Sequence, residues 1–184
     1  MVPGMENMNI YIPDWAGVTE LSLGSSWRAV WVNRRELPEG APLLYGYAVV
    51  VCEDKGYVTR PAGDVRWAAA EGAVNADEKP EAFVKRIALE QTGAQGGKSF
   101  VAGFLEVKAT SHNPDFPAGF AAVRPVYLHV AAKMQDIGKA SGYERRRLPL
   151  NEFAAALRKA YPELHEGITA PVDHYLVMKA KGTL

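Results

Sequence analysis

The sequence is short of cysteine, of net charge and of long apolar runs. It holds 1 cysteine in 184 residues, which excludes an intrachain disulfide and a cysteine-built metal cluster. Cys52 ends the apolar run Ala48-Val49-Val50-Val51 and reads as a small buried hydrophobe. Lys plus Arg number 21 and Asp plus Glu number 21, so the formal charge is zero. A balanced chain offers no electrostatic footprint for nucleic acid or for an anionic membrane. No apolar run is long enough to span a bilayer. The opening Met1-Val2-Pro3-Gly4-Met5-Glu6-Asn7 has neither the basic nor the apolar region of a signal peptide, so a cytoplasmic protein is expected. Internal repeats and low-complexity tracts are also missing.

What is present suits one core. Hydrophobic residues make up 48% of the chain. A chain of this length buries roughly 70% of its unfolded surface. The patterning predicts a mixed sheet flanked by helices. Val18 to Leu23 and Trp27 to Val32 alternate around the turn Gly24-Ser25-Ser26, which predicts a hairpin. Leu43 to Cys52 reads as a central strand and Gly56 to Arg60 as its partner. Phe100 to Lys108 and Val123 to Lys133 read as two more strands. Leu150 to Tyr161 carries Phe153, Ala154, Leu157 and Tyr161 on one side, as an amphipathic helix does. Pro171 to Ala180 reads as a last helix. The expected division is an N-terminal β extension over 1–42 and the main domain over 43–184.

The most informative stretch is Gly72 to Ala94. Lys79-Pro80-Glu81 reads as a helix start, with Pro tolerated in the first turn and an acid near the positive end of the dipole. No breaker follows until Thr92-Gly93, a plausible helix end. On such a helix, positions 87, 90 and 91 are i, i+3 and i+4 neighbours. They hold Ile87, Glu90 and Gln91, so one carboxylate stands on that face.

Gly72, Glu78, Arg86, Glu90 and Gly93 fall at the spacing of the Nudix box, G-x5-E-x7-R-E-u-x-E-E-x-G-u, with u apolar. The stretch therefore resembles the Nudix superfamily. Trp67 before the box and Arg147-Leu148-Pro149-Leu150-Asn151-Glu152-Phe153 after it extend the resemblance over about Leu43 to Leu164. It implies an α/β/α sandwich with a mixed sheet, here with an N-terminal β extension. It also implies a diphosphate substrate and Mg²⁺ or Mn²⁺ as cofactor. Glu90 would be the catalytic metal ligand, with Glu71 and Glu78 as further candidates, and Arg86 would tie the box loop to the helix. The box departs from the family at Glu71, Asn75, Ile87 and Gln91. Where three carboxylates would face a hard cation, one remains, although Gln91 could still offer a carbonyl oxygen.

Three functions stay open. The first is a Nudix-like domain that binds a nucleoside-diphosphate-type or other small phosphorylated ligand, with hydrolysis weak or lost. The second is an active pyrophosphohydrolase whose metal site is compensated by Glu71, Glu78 or Asp77. The third is a structural or homodimerisation module acting through Trp27 and Trp31 of the extension. His112, in the loop 110–119, and Arg147, in the run Arg145-Arg146-Arg147, are the candidate ligand contacts outside the box. Gly93 to Ser99 nearly spells a phosphate-cradling loop, but it follows a helix and leads into a strand, the reverse of what that loop needs. His129 reads as structural.

Overall fold

A computed structural model describes residues 11–184. The reading of Met1 to Asn7 lies outside them. The strands are β1 (Leu21–Leu23), β2 (Trp27–Val32), β3 (Tyr45–Cys52), β4 (Lys55–Pro61), β5 (Ala70–Ala73), β6 (Ala94–Gln95), β7 (Lys98–Ala109), β8 (Ala121–Val130), β9 (Lys133–Met134) and β10 (Tyr143–Pro149). The helices are α1 (Pro80–Thr92), α2 (Leu150–Ala160) and α3 (Ala170–Lys181).

The main sheet has eight strands. Seven run in the order β1-β2-β7-β8-β3-β4-β10, and β5 also pairs with β3. The β3–β8 pairing is parallel and the others are antiparallel, so the sheet is mixed. Strand β3 shows why the centre is continuously apolar. Tyr47, Val49 and Val51 face one layer, while Ala48, Val50 and Cys52 face the other. A strand buried on both sides loses the apolar–polar alternation of a half-solvated one.

Helix α1 covers one face, with Phe83, Val84, Ile87 and Ala88 packed on the Ala48–Cys52 side of β3. The opposite face packs against Phe153 and Leu157 of α2 and Val172, Tyr175 and Met178 of α3. This is the expected sandwich of helices around a mixed sheet. The N-terminal hairpin forms at Leu21–Leu23 and Trp27–Val32, and β2 continues the sheet by pairing with β7. Trp27 and Trp31 both pack against the core of their own chain. Gly103 is glycine for this reason, since a Cβ there would lie 2.2 Å from the Trp31 ring.

Two elements that position the site escaped the sequence pattern. Strand β5 is 4 residues long and reads only as box-proximal loop. Strand β10 contains Arg145-Arg146-Arg147, a run that the sequence pattern did not mark as a strand; Arg146 and Arg147 are exposed. It lies at the sheet edge beside β4, with Arg146 opposite Val58 and Arg147 opposite Tyr57.

Candidate functional site

The box begins as a turn closed by charge. Glu78 Oε2 accepts from Arg86 Nε at 2.8 Å, and Glu78 Oε1 accepts from Arg86 Nη2 at 2.9 Å. Glu78 Oε1 also accepts the Asn75 N–H at 3.1 Å, and Arg86 Nη2 donates to the Ala73 carbonyl at 2.9 Å. One planar guanidinium thus joins α1, the turn before it and the end of β5, a geometry a lysine could not reproduce. The Arg86 hydrogen bonds hold the Glu78 carboxyl below the usual glutamate range. Helix α1 opens with Pro80 and closes on Gly93 at φ 79°, whose N–H reaches the carbonyls of Ala88 and Leu89.

The 87/90/91 face is split by its packing. Ile87 is 1% exposed and joins the apolar layer with Phe83 and Val50. Gln91 is 6% exposed, and both polar atoms of its amide are hydrogen-bonded. Its Oε1 accepts the Glu71 N–H at 3.1 Å, and its Nε2 donates to the Glu71 carbonyl at 2.7 Å. The carbonyl oxygen that Gln91 could offer a cation serves here as a strand partner for β5. A Cβ on Gly72 would meet Ile87 at 3.8 Å and Gln91 at 3.9 Å, so both side chains lie over that strand. Glu90 turns the other way. Its side chain is 54% exposed and lies 3.4 Å from Arg86 Nη1 as an i,i+4 pair.

Glu71 faces a second cluster. One carboxylate oxygen accepts from Tyr161 Oη, and the other lies 3.5 Å from Arg66. Arg66 also stacks 4.5 Å over the Tyr161 ring and donates twice to the Ala160 carbonyl, which caps the negative end of α2. Tyr47 meets Tyr45 and Tyr161 edge to face, each with centroids 5.7 Å apart. Burial, and then the nearby Glu71 charge, push the phenols of Tyr45 and Tyr161 well above the ordinary tyrosine value. Beside this cluster opens a cavity of about 240 Å³, lined by Tyr45, Thr59, Arg60, Arg66, Glu71 and Gln91 among others.

Mg²⁺ takes oxygen ligands in near-octahedral geometry and favours convergent carboxylates. Among the described residues, no three His, Cys, Asp or Glu side chains converge in that way. Glu78 is held by Arg86, Glu71 by Tyr161 and Arg66, and Glu90 stands at the exposed edge of α1. The donor set does not fit the cation that the box spacing implies.

His112 and Arg147 are both exposed, and neither lines the cavity beside Glu71. Arg145 is the structural member of its run: it donates to the carbonyls of Thr92 and Gln135 and closes the end of α1. His129 is 1% exposed, with Nδ1 at 2.7 Å from Ser99 Oγ. The site residues that the sequence did not reveal are Tyr45, Arg60, Arg66 and Tyr161. Tyr161 lies 90 positions from Glu71, and no local spacing marks such a pair.

No family model matches the chain, and no curated protein matches it. Solved structures do. A pyrophosphohydrolase of Bacillus subtilis superposes with a TM-score of 0.55 at 14% identity, covering 71% of this chain and 77% of that one. A Nudix hydrolase of Nitrosomonas europaea gives 0.51 at 15% identity, covering 74% and 90%. The Nudix domain of Shewanella oneidensis NrtR, complexed with ADP ribose, gives 0.51 at 19% identity, covering 73% and 89%. Five box positions at the expected spacing and an α/β sandwich superposing on these proteins together place this chain in the Nudix fold.

Proposed function

We propose that this chain is a Nudix-fold domain that binds a small phosphorylated ligand of the nucleoside-diphosphate type, and that its hydrolytic activity is weak or lost. The observation that carries this reading is the double hydrogen bond from the Gln91 amide to the backbone of Glu71, beside a buried Ile87. Diphosphate hydrolysis needs a cation to offset phosphoryl charge and to activate water. Two of the three positions that would hold the cation, 87 and 91, are committed to packing and to a strand, which leaves Glu90 alone on that face. The cavity beside Glu71 supports retained binding, because Tyr45 offers a ring and a hydroxyl there, and Arg60 and Arg66, paired in the free protein with Glu144 and Glu71, can exchange those partners for phosphate oxygens. The ADP ribose bound by the similar NrtR domain makes that compound the first ligand to try.

The test is calorimetry with ADP ribose and ADP, with and without Mg²⁺ or Mn²⁺, beside product analysis for ADP ribose, sugar nucleotides, dinucleoside polyphosphates and nucleoside triphosphates. Binding that needs no divalent cation, with no product, is the expected result. Turnover near about one per second, a low-normal enzyme rate, that disappears in Glu90→Gln would establish an active enzyme with a compensated site.

A further inference from the structure

On the α2 face of the sheet lies a separate cleft of about 260 Å³. Its floor is apolar, built from Val58, Trp67, Leu148 and Ala156. Its rim carries Arg66, Arg146 and Lys159, and no carboxylate lines it. Val65 stands at the mouth, 87% exposed. These residues come from β4, β10, α2 and the segment before β5, so no single stretch of sequence announces the cleft.

The three cations differ in their freedom. Arg66 is committed to the Ala160 carbonyl and lies 3.5 Å from Glu71. Among the described residues, neither Arg146 nor Lys159 takes part in an ion pair. Arg146 lies 4.5 Å from the centre of the Trp67 ring, and Arg60 lies 4.2 Å from it. The charge of Arg60 is answered by Glu144 at 2.7 Å, whereas that of Arg146 is not. The indole therefore holds the Arg146 guanidinium at the cleft edge without neutralising it, since cation–π attraction leaves the N–H donors free.

We infer that this cleft binds a small aromatic anion: a phosphate or carboxylate head held by Arg146 and Lys159, with a flat apolar body on Val58, Leu148 and Ala156. Charge complementarity selects the head, because a cleft with only cationic polar groups at its rim cannot favour a neutral or cationic one. Size selects the body. Sites for drug-sized ligands run from roughly 300 to 1,000 Å³, and this cleft is smaller. The cleft shares Arg66 with the cavity beside Glu71, but the inference rests on Arg146 and Lys159 and does not depend on ligand binding in that cavity.

The probes are 1-naphthyl phosphate, 1-naphthoate and neutral 1-naphthol, titrated while the Trp67 indole N–H is followed by NMR. Either anion is expected to shift that signal with a Kd of about 1 mM or tighter, the value a ligand of this size reaches at ordinary efficiency. Naphthol is expected to bind roughly tenfold more weakly, a difference of about 1.4 kcal/mol. The double variant R146Q/K159Q should lose the preference for the anions. Ala156→Leu, which fills the floor, should abolish binding of all three probes while its melting curve stays cooperative. If only the phosphate binds, the head is a phosphate; if both anions bind, the cleft takes either. An unmoved Trp67 signal with both anions would overturn the inference. So would equal affinity for naphthol, undiminished preference in R146Q/K159Q, or shifts gathered at the Glu71 and Gln91 amides. Because the arginine–lysine variant alters only exposed side chains, it keeps the test decisive should Ala156→Leu fail to fold.

Discussion

The side-chain amide of Gln91 is hydrogen-bonded to both the N–H and the carbonyl of Glu71, at 3.1 and 2.7 Å. The pair behaves as one extra rung of sheet, made by a helix side chain on a strand of 4 residues. It secures α1 to β5 at the place where the box spacing calls for a carboxylate.

Restoring that carboxylate should therefore destabilise the protein. In Gln91→Glu the N–H bond to Glu71 can survive, but the donor to the Glu71 carbonyl is gone, and two oxygens face each other in a buried place. Leaving a buried group unpaired costs about 1–3 kcal/mol. Urea unfolding of Gln91→Glu is expected to show a loss in that range, with no gain in Mg²⁺ affinity by calorimetry. Unchanged stability together with tight Mg²⁺ binding would mean that α1 can present its acids after all.

Arg86 should matter more than an exposed arginine does. Its guanidinium meets Glu78 twice and the Ala73 carbonyl once. Surface substitutions usually stay within about 0.5 kcal/mol, and hydrogen bonds to charged groups are worth about 1.5–3 kcal/mol. Arg86→Ala is expected to fall in the second range by thermal or urea unfolding. A pH effect accompanies it. The Glu78 carboxyl is depressed in the folded state by Arg86. Its contribution is therefore fully present above the ordinary glutamate pKa of about 4.3 and is lost as pH falls further, through the lower folded value. Glu78→Gln should flatten that acid limb; an acid limb of unchanged steepness would show that Glu78 is not linked to folding.

The legible part of this molecule is the part whose signals are local. Pro80 and Gly93 bound α1 because proline suits the first turn and glycine accepts a left-handed end, and both rules act within a few residues. Strands β2 and β3 follow from alternation and from a continuous apolar run. Strand β10 was hidden because an edge strand rich in arginine lacks the apolar alternation of a core strand, and its pairing with β4 lies some 80 positions away in sequence, as in Arg60 with Glu144. The loss of acids at 87 and 91 was readable, but their new employment was not. Only the register of β5 on β3 shows that Gln91 meets a backbone and Ile87 a core.

Gly56 offers a prediction about packing. It sits in β4 between Val51 and Leu148, and a Cβ there would lie 2.0 Å from the Phe153 ring. Phe153 is fully buried and cannot swing out. Gly56→Ala is expected to cost at least the 1–3 kcal/mol or so typical of overpacking. The double variant Gly56→Ala/Phe153→Leu should recover part of the loss that the two single variants add up to. Strict additivity in that cycle, read by urea unfolding, would show that the two positions do not touch.

His174 supplies the last. Its Nε2 lies 2.9 Å from Arg35 Nη1. Arginine can only donate, so Nε2 accepts and the ring proton resides on Nδ1. Nδ1 is buried and has no hydrogen-bond partner. Burial first, and the Arg35 charge second, lower the pKa of the imidazole below the ordinary histidine value. Between about pH 6.5, where an unfolded histidine titrates, and the lower folded value, the unfolded chain binds more protons. Stability must then fall as pH drops below about 6.5. His129 is also lowered by burial and adds a limb of the same sign, so removing His174 shrinks the slope without abolishing it. His174→Leu removes both the titration and the stranded donor. It gives up only a tilted contact with Phe100 at 5.9 Å and a bond to an exposed arginine. The variant is therefore expected to be more stable than the wild type at pH 5.5, by a margin that narrows at pH 8, when urea unfolding is measured at both. A margin that does not change with pH would show that His174 titrates alike in the folded and unfolded chains.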